Sequence, residues 1–239
     1  MACLNSWVRD AAVHCGVIFD YNNDMLSKTS VFKLPQALAA IAIALFAMGT
    51  SISTQAQTKR SILVYGDSIS AAYGMDFSDG WAQQLGAELD AITLVNASVS
   101  GETTGGGLTR LPKALAVHNP NLVILELGGN DGLRGYPIDR IQNNLIAMIQ
   151  AIRASGSEVA LIGMVLPPNY GQRYLTKFIG MYAAIAESED IHYFLPALLD
   201  GLDTPQDLLQ RDGIHPTADA QPLIKAQIQE LIDPWINDD

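Results

Sequence analysis

Ser68 follows the apolar run Ile62-Leu63-Val64-Tyr65 and a Gly66-Asp67 turn, while His215 stands far along the chain in Asp212-Gly213-Ile214-His215-Pro216. A serine hydroxyl attacks poorly until a base removes its proton, and an imidazole needs a carboxylate to fix its tautomer and to stabilise the imidazolium. Asp212, three residues before His215, can reach one ring nitrogen within a single turn and leave the other to face Ser68. Two further residues lie between these segments: Gly101 in Asn96-Ala97-Ser98-Val99-Ser100-Gly101, and Asn130 in Gly128-Gly129-Asn130-Asp131. The backbone N–H groups of Ser68 and Gly101 and the side-chain amide of Asn130 are candidate donors to an oxyanion. Together these residues are the parts needed for acyl transfer to water.

Each part has an ordinary alternative. Gly-Asp-Ser also occurs in turns and helix caps, and Gly101 and Asn130 could be turn residues. Asp212 and His215 could instead ligate a metal, but no second group of His, Asp or Glu at ligand spacing accompanies them. His14, His118 and His192 lack a carboxylate in an evident motif. Gly105-Gly106-Gly107 lacks the Gly-Lys-Ser/Thr of a phosphate loop and reads as a flexible approach to a helix around Leu108–Leu115. The position two after Ser68 is Ser70, so the Gly-x-Ser-x-Gly elbow of α/β-hydrolases is absent.

These residues need a scaffold that brings them to one edge. Apolar runs at Ser61–Tyr65, Ile92–Asn96, Leu122–Leu127, Val159–Val165 and, more weakly, His192–Phe194 read as strands. Several are apolar almost throughout, as in a parallel sheet covered on both faces. Helical periodicity separates them, with apolar stripes at Ile141/Leu145/Met148/Ile149/Ile152, Tyr174/Phe178/Met181/Tyr182/Ile185 and Leu223/Ile224/Ile228/Leu231. The expectation is an α/β fold with these stripes packed on the sheet. Ser68, Gly101 and Asn130 each follow a predicted strand and so converge on the carboxyl edge, where such sheets place their sites.

Nearly half of the 239 residues are hydrophobic and the net charge is −11, which speaks against nucleic acid or an anionic membrane surface as a target. From Met25 the chain carries Lys28 and Lys33 and no acid, then an apolar stretch from Ala37 to Met48, then small and polar residues from Gly49 to Gln57 that include Thr54-Gln55-Ala56. That is the layout of an export signal, and roughly a dozen apolar residues fall short of the about 20 that span a bilayer. Residues 1–24 are read as an upstream extension before a start at Met25, 25–57 as a signal peptide and 58–239 as one domain, with no stable membrane anchor after cleavage. Cys3 and Cys15 both precede Met25, so the exported chain has neither a disulfide nor a thiol nucleophile.

Gly-Asp-Ser-Ile at Ser68, the glycine block at Gly101, Gly-x-Asn-Asp at Asn130 and Asp-x-x-His-Pro at Asp212–His215 resemble the four blocks of the GDSL, or SGNH, hydrolases. Ile69 stands where the family name has leucine, an apolar exchange. Leu125–Gly135, Leu166–Gly171 and Asp212–Pro216 are similar to the periplasmic thioesterase I/protease I/lysophospholipase group, often called arylesterases. The resemblance implies a flavodoxin-like three-layer α/β/α sandwich with five parallel strands, no metal or organic cofactor, and a periplasmic or secreted enzyme. It implies hydrolysis of small-molecule acyl esters and thioesters, including acyl-CoA, and of lysophospholipids. By the match Ser68 is the nucleophile, His215 the base, Asp212 its orienter, and Ser68, Gly101 and Asn130 the oxyanion hole. Pro167, Pro168, Asn169 and Tyr170 would form a mobile loop lining the acyl groove. A carbohydrate O-deacetylase of the same fold and a silent acyl- or lipid-binding module are the alternatives.

Overall fold

Five parallel strands carry the molecule, and their order follows from runs apolar enough to be buried on both faces. In the computed structural model, which describes residues 59–198 and 208–238, these are β1 (Arg60–Gly66), β2 (Ile92–Asn96), β3 (Leu122–Glu126), β4 (Glu158–Ile162) and β5 (Tyr193–Leu195). The sheet order β2-β1-β3-β4-β5 is the doubly wound order of flavodoxin-like folds. Every residue of β3 is buried, as are the last five of β1. The expected upstream extension, export signal and start at Met25 all fall outside the described residues.

Helices cover both faces. They are α1 (Trp81–Glu88), α2 (Thr104–His118), α3 (Gly129–Leu133), α4 (Ile138–Ala154), α5 (Gln172–Ser188) and α6 (Gln221–Ile236). α1 packs with α6, while α2 packs with α4 and α4 with α5, giving the three-layer α/β/α sandwich. On α4 the whole stripe Ile141, Leu145, Met148, Ile149 and Ile152 is fully buried, each side chain stabilising the fold by about 1.5–3 kcal/mol relative to exposure. On α5 the stripe is buried except for Tyr174, which packs at its margin.

Three expectations shift. On α6 the inward face is Ile224, Ile228, Ile232 and Trp235, and Leu223 is 47% exposed. Of the predicted Leu223/Ile224/Ile228/Leu231 stripe, Ile224 and Ile228 face inward as expected, and the face runs on through Ile232 and Trp235, which meets Arg60 at the start of β1. The Arg60 guanidinium lies 3.8 Å from the Trp235 ring and donates to the carbonyls of Trp235 and Ile236 at the carboxyl end of α6. Gly105-Gly106-Gly107 is the first turn of α2, not a flexible approach to it: Thr103 Oγ1 accepts from the Gly106 N–H at 3.2 Å and caps the helix.

The third shift concerns β4, which ends at Ile162 and not at Val165. At Gly163 the chain meets the crossover from β5: the Gly163 N–H donates to the Leu195 carbonyl at 2.7 Å, and the Leu198 N–H donates to the Gly163 carbonyl at 3.0 Å. A Cβ at Gly163 would overlap the Pro196 carbonyl oxygen, a backbone atom that cannot turn aside. Gly163→Ala is therefore expected to destabilise the fold by about 1–3 kcal/mol, the usual cost of overpacking, measured as a lower urea midpoint with an unchanged m-value.

Candidate active site

The parallel register sets the ends of three neighbouring strands side by side. Gly66 is opposite Glu126, and Val64 is opposite Asn96. The turn after β1 carries Ser68, the turn after β2 carries Gly101, and α3 after β3 carries Asn130. A helix-like turn holds Ser68, with the Ala71 N–H donating to the Asp67 carbonyl at 3.0 Å and the Tyr73 N–H to the Ser68 carbonyl at 3.2 Å.

His215 arrives on a separate, closed loop. Leu209 bridges Pro216 in antiparallel fashion, and the Gln210 N–H donates to the His215 carbonyl at 2.7 Å. Within this loop Asp212 Oδ1 accepts from the backbone N–H groups of Ile214 and His215 at 2.9 and 3.0 Å. Its other oxygen lies 2.7 Å from His215 Nδ1, and His215 Nε2 lies 2.9 Å from Ser68 Oγ. Gln210 Nε2 donates to the carbonyls of Tyr73 and Pro216 and so ties the histidine loop to the serine turn. The Tyr73 ring covers the imidazole, with centroids 4.4 Å apart.

Partial burial works against the Asp212 charge, but hydrogen bonds from the His215 ring and from the His215 and Ile214 amides bring its pKa down to about 2. An ionised Asp212 can only accept, so the proton sits on Nδ1 and Nε2 is left with its lone pair toward the Ser68 hydroxyl. A buried serine facing an imidazole whose far side is held by a carboxylate can lose its proton as it attacks an electrophilic carbon.

Asn130 Nδ2 donates to Asp67 Oδ2 at 2.9 Å. Since the carboxylate accepts, the amide's orientation is defined and its second N–H is free for the cavity. The Ser68 N–H makes no hydrogen bond among the described residues, nor does that of Gly101. Gly101 is exposed, with φ 78°, and lies in the turn after β2 outside the cavity lining.

Ser68, Asn130 and His215 open on a cavity of about 440 Å³, within the roughly 300–1,000 Å³ of ordinary small-molecule sites. Apart from these polar groups and Asp67, its walls are largely apolar, notably Ile69, Leu133, Met164, Leu166 and Ile214. Pro167 and Pro168 line it, Asn169 is exposed, and Tyr170 lines a neighbouring open hollow while donating to the Leu133 carbonyl at 2.8 Å. The residues missed from sequence are Met164 and Leu166, concealed in a strand-like run, and the buried carboxyl groups of Asp67 and Glu126. A glutamate inside the otherwise apolar Leu122–Leu127 was the available signal. Among the described residues no cluster of His, Cys, Asp and Glu could hold a metal ion, and no helix is long and apolar enough to cross a membrane.

Residues 64–222 match the model of the GDSL-like lipase/acylhydrolase family. Esterase TesA of Pseudomonas aeruginosa is 45% identical over 187 residues, covering 77% of this chain and 92% of that protein. Thioesterase 1/protease 1/lysophospholipase L1 of Escherichia coli K12 is 38% identical over 189 residues, covering 79% and 90%. The crystal structure of the psychrotrophic esterase EstA from Pseudoalteromonas sp., inhibited by monoethylphosphonate, superposes with a TM-score of 0.71 at 40% identity, covering 75% of this chain and all of that one.

The Asp212 geometry sets a titration. A carboxyl NMR titration is expected to place Asp212 at about 2, and His215→Ala is expected to move the midpoint up toward the ordinary range near 3.9 by removing the ring hydrogen bond. Because the folded-state pKa is depressed, the stabilisation this carboxylate provides is present above its ordinary pKa and is lost as the pH falls through about 2.

Proposed function

The chain belongs to the GDSL-like lipase/acylhydrolase family and is a serine hydrolase of small-molecule esters, and from that premise we propose that Ser68, His215 and Asp212 carry the reaction through an acyl-enzyme. The observation that carries this reading is the chain of hydrogen bonds from Asp212 through His215 to Ser68, ending at an apolar cavity. Ser68 Oγ attacks the acyl carbon as its proton passes to His215 Nε2. The imidazolium, held by Asp212, gives that proton to the leaving alcohol or thiol; the neutral imidazole then takes a proton from water as it attacks the acyl-serine and returns it to Ser68 Oγ as the free acid leaves. The oxyanion is stabilised by the Ser68 N–H and the free N–H of Asn130 at the cavity, each such donor contributing about 3 kcal/mol in the transition state, and by the Gly101 N–H from the neighbouring turn, which must draw in toward the cavity to reach it.

The substrates are acyl esters and thioesters, acyl-CoA and lysophospholipids among them, with the acyl chain lying along Met164, Leu166 and the Pro167-Pro168 wall. The apolar lining supports a fatty acyl group over an acetylated sugar. Neighbouring chain lengths differ by only about 1–3 kcal/mol per methylene in such a cavity, so acceptance is broad. We read the enzyme as exported to the periplasm through residues 25–57, with residues 58–239 as the hydrolase domain, on the strength of the charge and apolar pattern that begins at Met25.

The test is hydrolysis of p-nitrophenyl acetate, butyrate, octanoate and palmitate, with acetylated sugars as counter-substrates. Activity is expected to rise from acetate toward the medium chains and to vanish in Ser68→Ala at unchanged circular dichroism; turnover retained by that variant refutes the assignment. Asn130→Ala is expected to lower kcat by about 10²–10³ with little change in KM.

A further inference from the structure

Two carboxyl groups lie buried beneath the serine turn with no part in the scheme above. Asp67 is 2% exposed and Glu126 fully buried. Each Asp67 oxygen accepts one hydrogen bond, Oδ1 from the Ile69 N–H at 3.2 Å and Oδ2 from the Asn130 amide at 2.9 Å, which leaves lone pairs for the Glu126 carboxyl group within hydrogen-bond reach. Glu126 lacks a donor on one oxygen. Its Oε2 accepts from Ser70 Oγ at 2.7 Å and from the Asp67 N–H at 3.2 Å, while Oε1 is buried with no protein donor reaching it. The nearby Asp131 has the opposite character, since its two oxygens accept from the Thr104 hydroxyl and N–H at 2.7 and 2.8 Å.

An ionised carboxylate with a bare oxygen in a dry site is costly, and no ion pair among the described residues compensates Glu126 or Asp67. The groups around the pair are Ser68 and Ser70 on the serine turn, Asn130 and Asp131 on α3, Tyr182 on α5 and His215 on its loop. Only His215 among these can become positive. Two anions side by side would therefore repel without relief, whereas a proton on Glu126 removes one charge and turns the bare oxygen into a donor.

We propose that Glu126 is a positioning residue that works as a neutral acid, donating its proton to Asp67 and so keeping Asp67 the ionised acceptor that orients the Asn130 amide. Burial first, and the neighbouring Asp67 charge second, push the Glu126 carboxyl well above the usual range, while burial lifts Asp67 only to about 6, leaving it ionised at neutral pH. The chain of orientation runs from Glu126 to Asp67 to the Asn130 donor, so it rests on the reading of Asn130 as part of the oxyanion hole. No bond to substrate is made or broken by either carboxyl group.

The test compares the full chain with E126Q and E126A. A glutamine amide can donate to Asp67 and accept from Ser70 and the Asp67 N–H, so E126Q is expected to keep kcat for p-nitrophenyl butyrate close to that of the parent. E126A frees Asp67 and is expected to lose about 100-fold in kcat, the usual cost of a misplacement of the order of 1 Å, at nearly unchanged KM. Infrared difference spectra give a readout that needs no catalysis. The parent at neutral pH is expected to show the C=O stretch of a buried, protonated carboxyl group, and E126Q to lack it. The proposal is overturned by an E126Q enzyme as slow as E126A, by a parent without the acid band, or by a band that persists in E126Q and disappears in Asp67→Asn. Should E126A fail to fold, E126Q and the spectra still decide. Turnover retained in Ser68→Ala would sink the serine mechanism and leave the infrared result standing, so the two failures are distinguishable.

Discussion

One buried oxygen, Glu126 Oε2, ties together the carboxyl edge of the sheet. It takes a donor from each side of Ser68, the Asp67 N–H and the Ser70 hydroxyl. The space it fills lies over Gly66, opposite Glu126 in the ladder, where any Cβ would overlap it. The glycine of Gly-Asp-Ser is thus required by close approach, with no demand for an unusual φ. From the other neighbouring strand, Asn96 Nδ2 donates to the Ser70 carbonyl at 2.7 Å. Three adjacent strands accordingly hold one turn, and a hydroxyl held this way keeps its geometry without help from a ligand.

Much of this was legible in the sequence, for physical reasons that also mark where legibility ends. The strands could be read because a parallel sheet covered on both faces demands continuous apolar runs, and the α4 stripe because its helix lies flat on the sheet. The α1 and α3 helices carried no usable periodicity: α1 is eight residues long, and α3 is five residues with two glycines. The end of β4 was misplaced because Met164 and Leu166 are as apolar as the strand before them, and apolarity does not distinguish a core strand from the wall of a cavity.

In the candidate site, Ser68, Asp212 and His215 could be named because a carboxylate three residues before a histidine meets it within one turn and Ser68 follows a strand, and the structure brings the three into contact. Asn130 could be named as an amide donor, but what orients it could not. That depends on Asp67, 63 positions away, and on which end of the amide a carboxylate accepts from. Asp67 itself reads as an ordinary turn aspartate, and Glu126 as an interruption in a strand. Their meaning comes from the ladder register that stacks them, a property of pairing and not of either segment.

The loop from Leu209 to Pro216 contains both Asp212 and His215 and closes on itself, whereas the serine that His215 faces is 147 positions away in the chain. Neither half alone sets an imidazole against a hydroxyl. Completing the set requires the segment before α6 to meet the turn after β1, a long-range contact whose closure entropy must be met before the contact rewards it. On the proposed serine mechanism, hydrolytic activity is thus a report on the closure of the whole domain and not on either half.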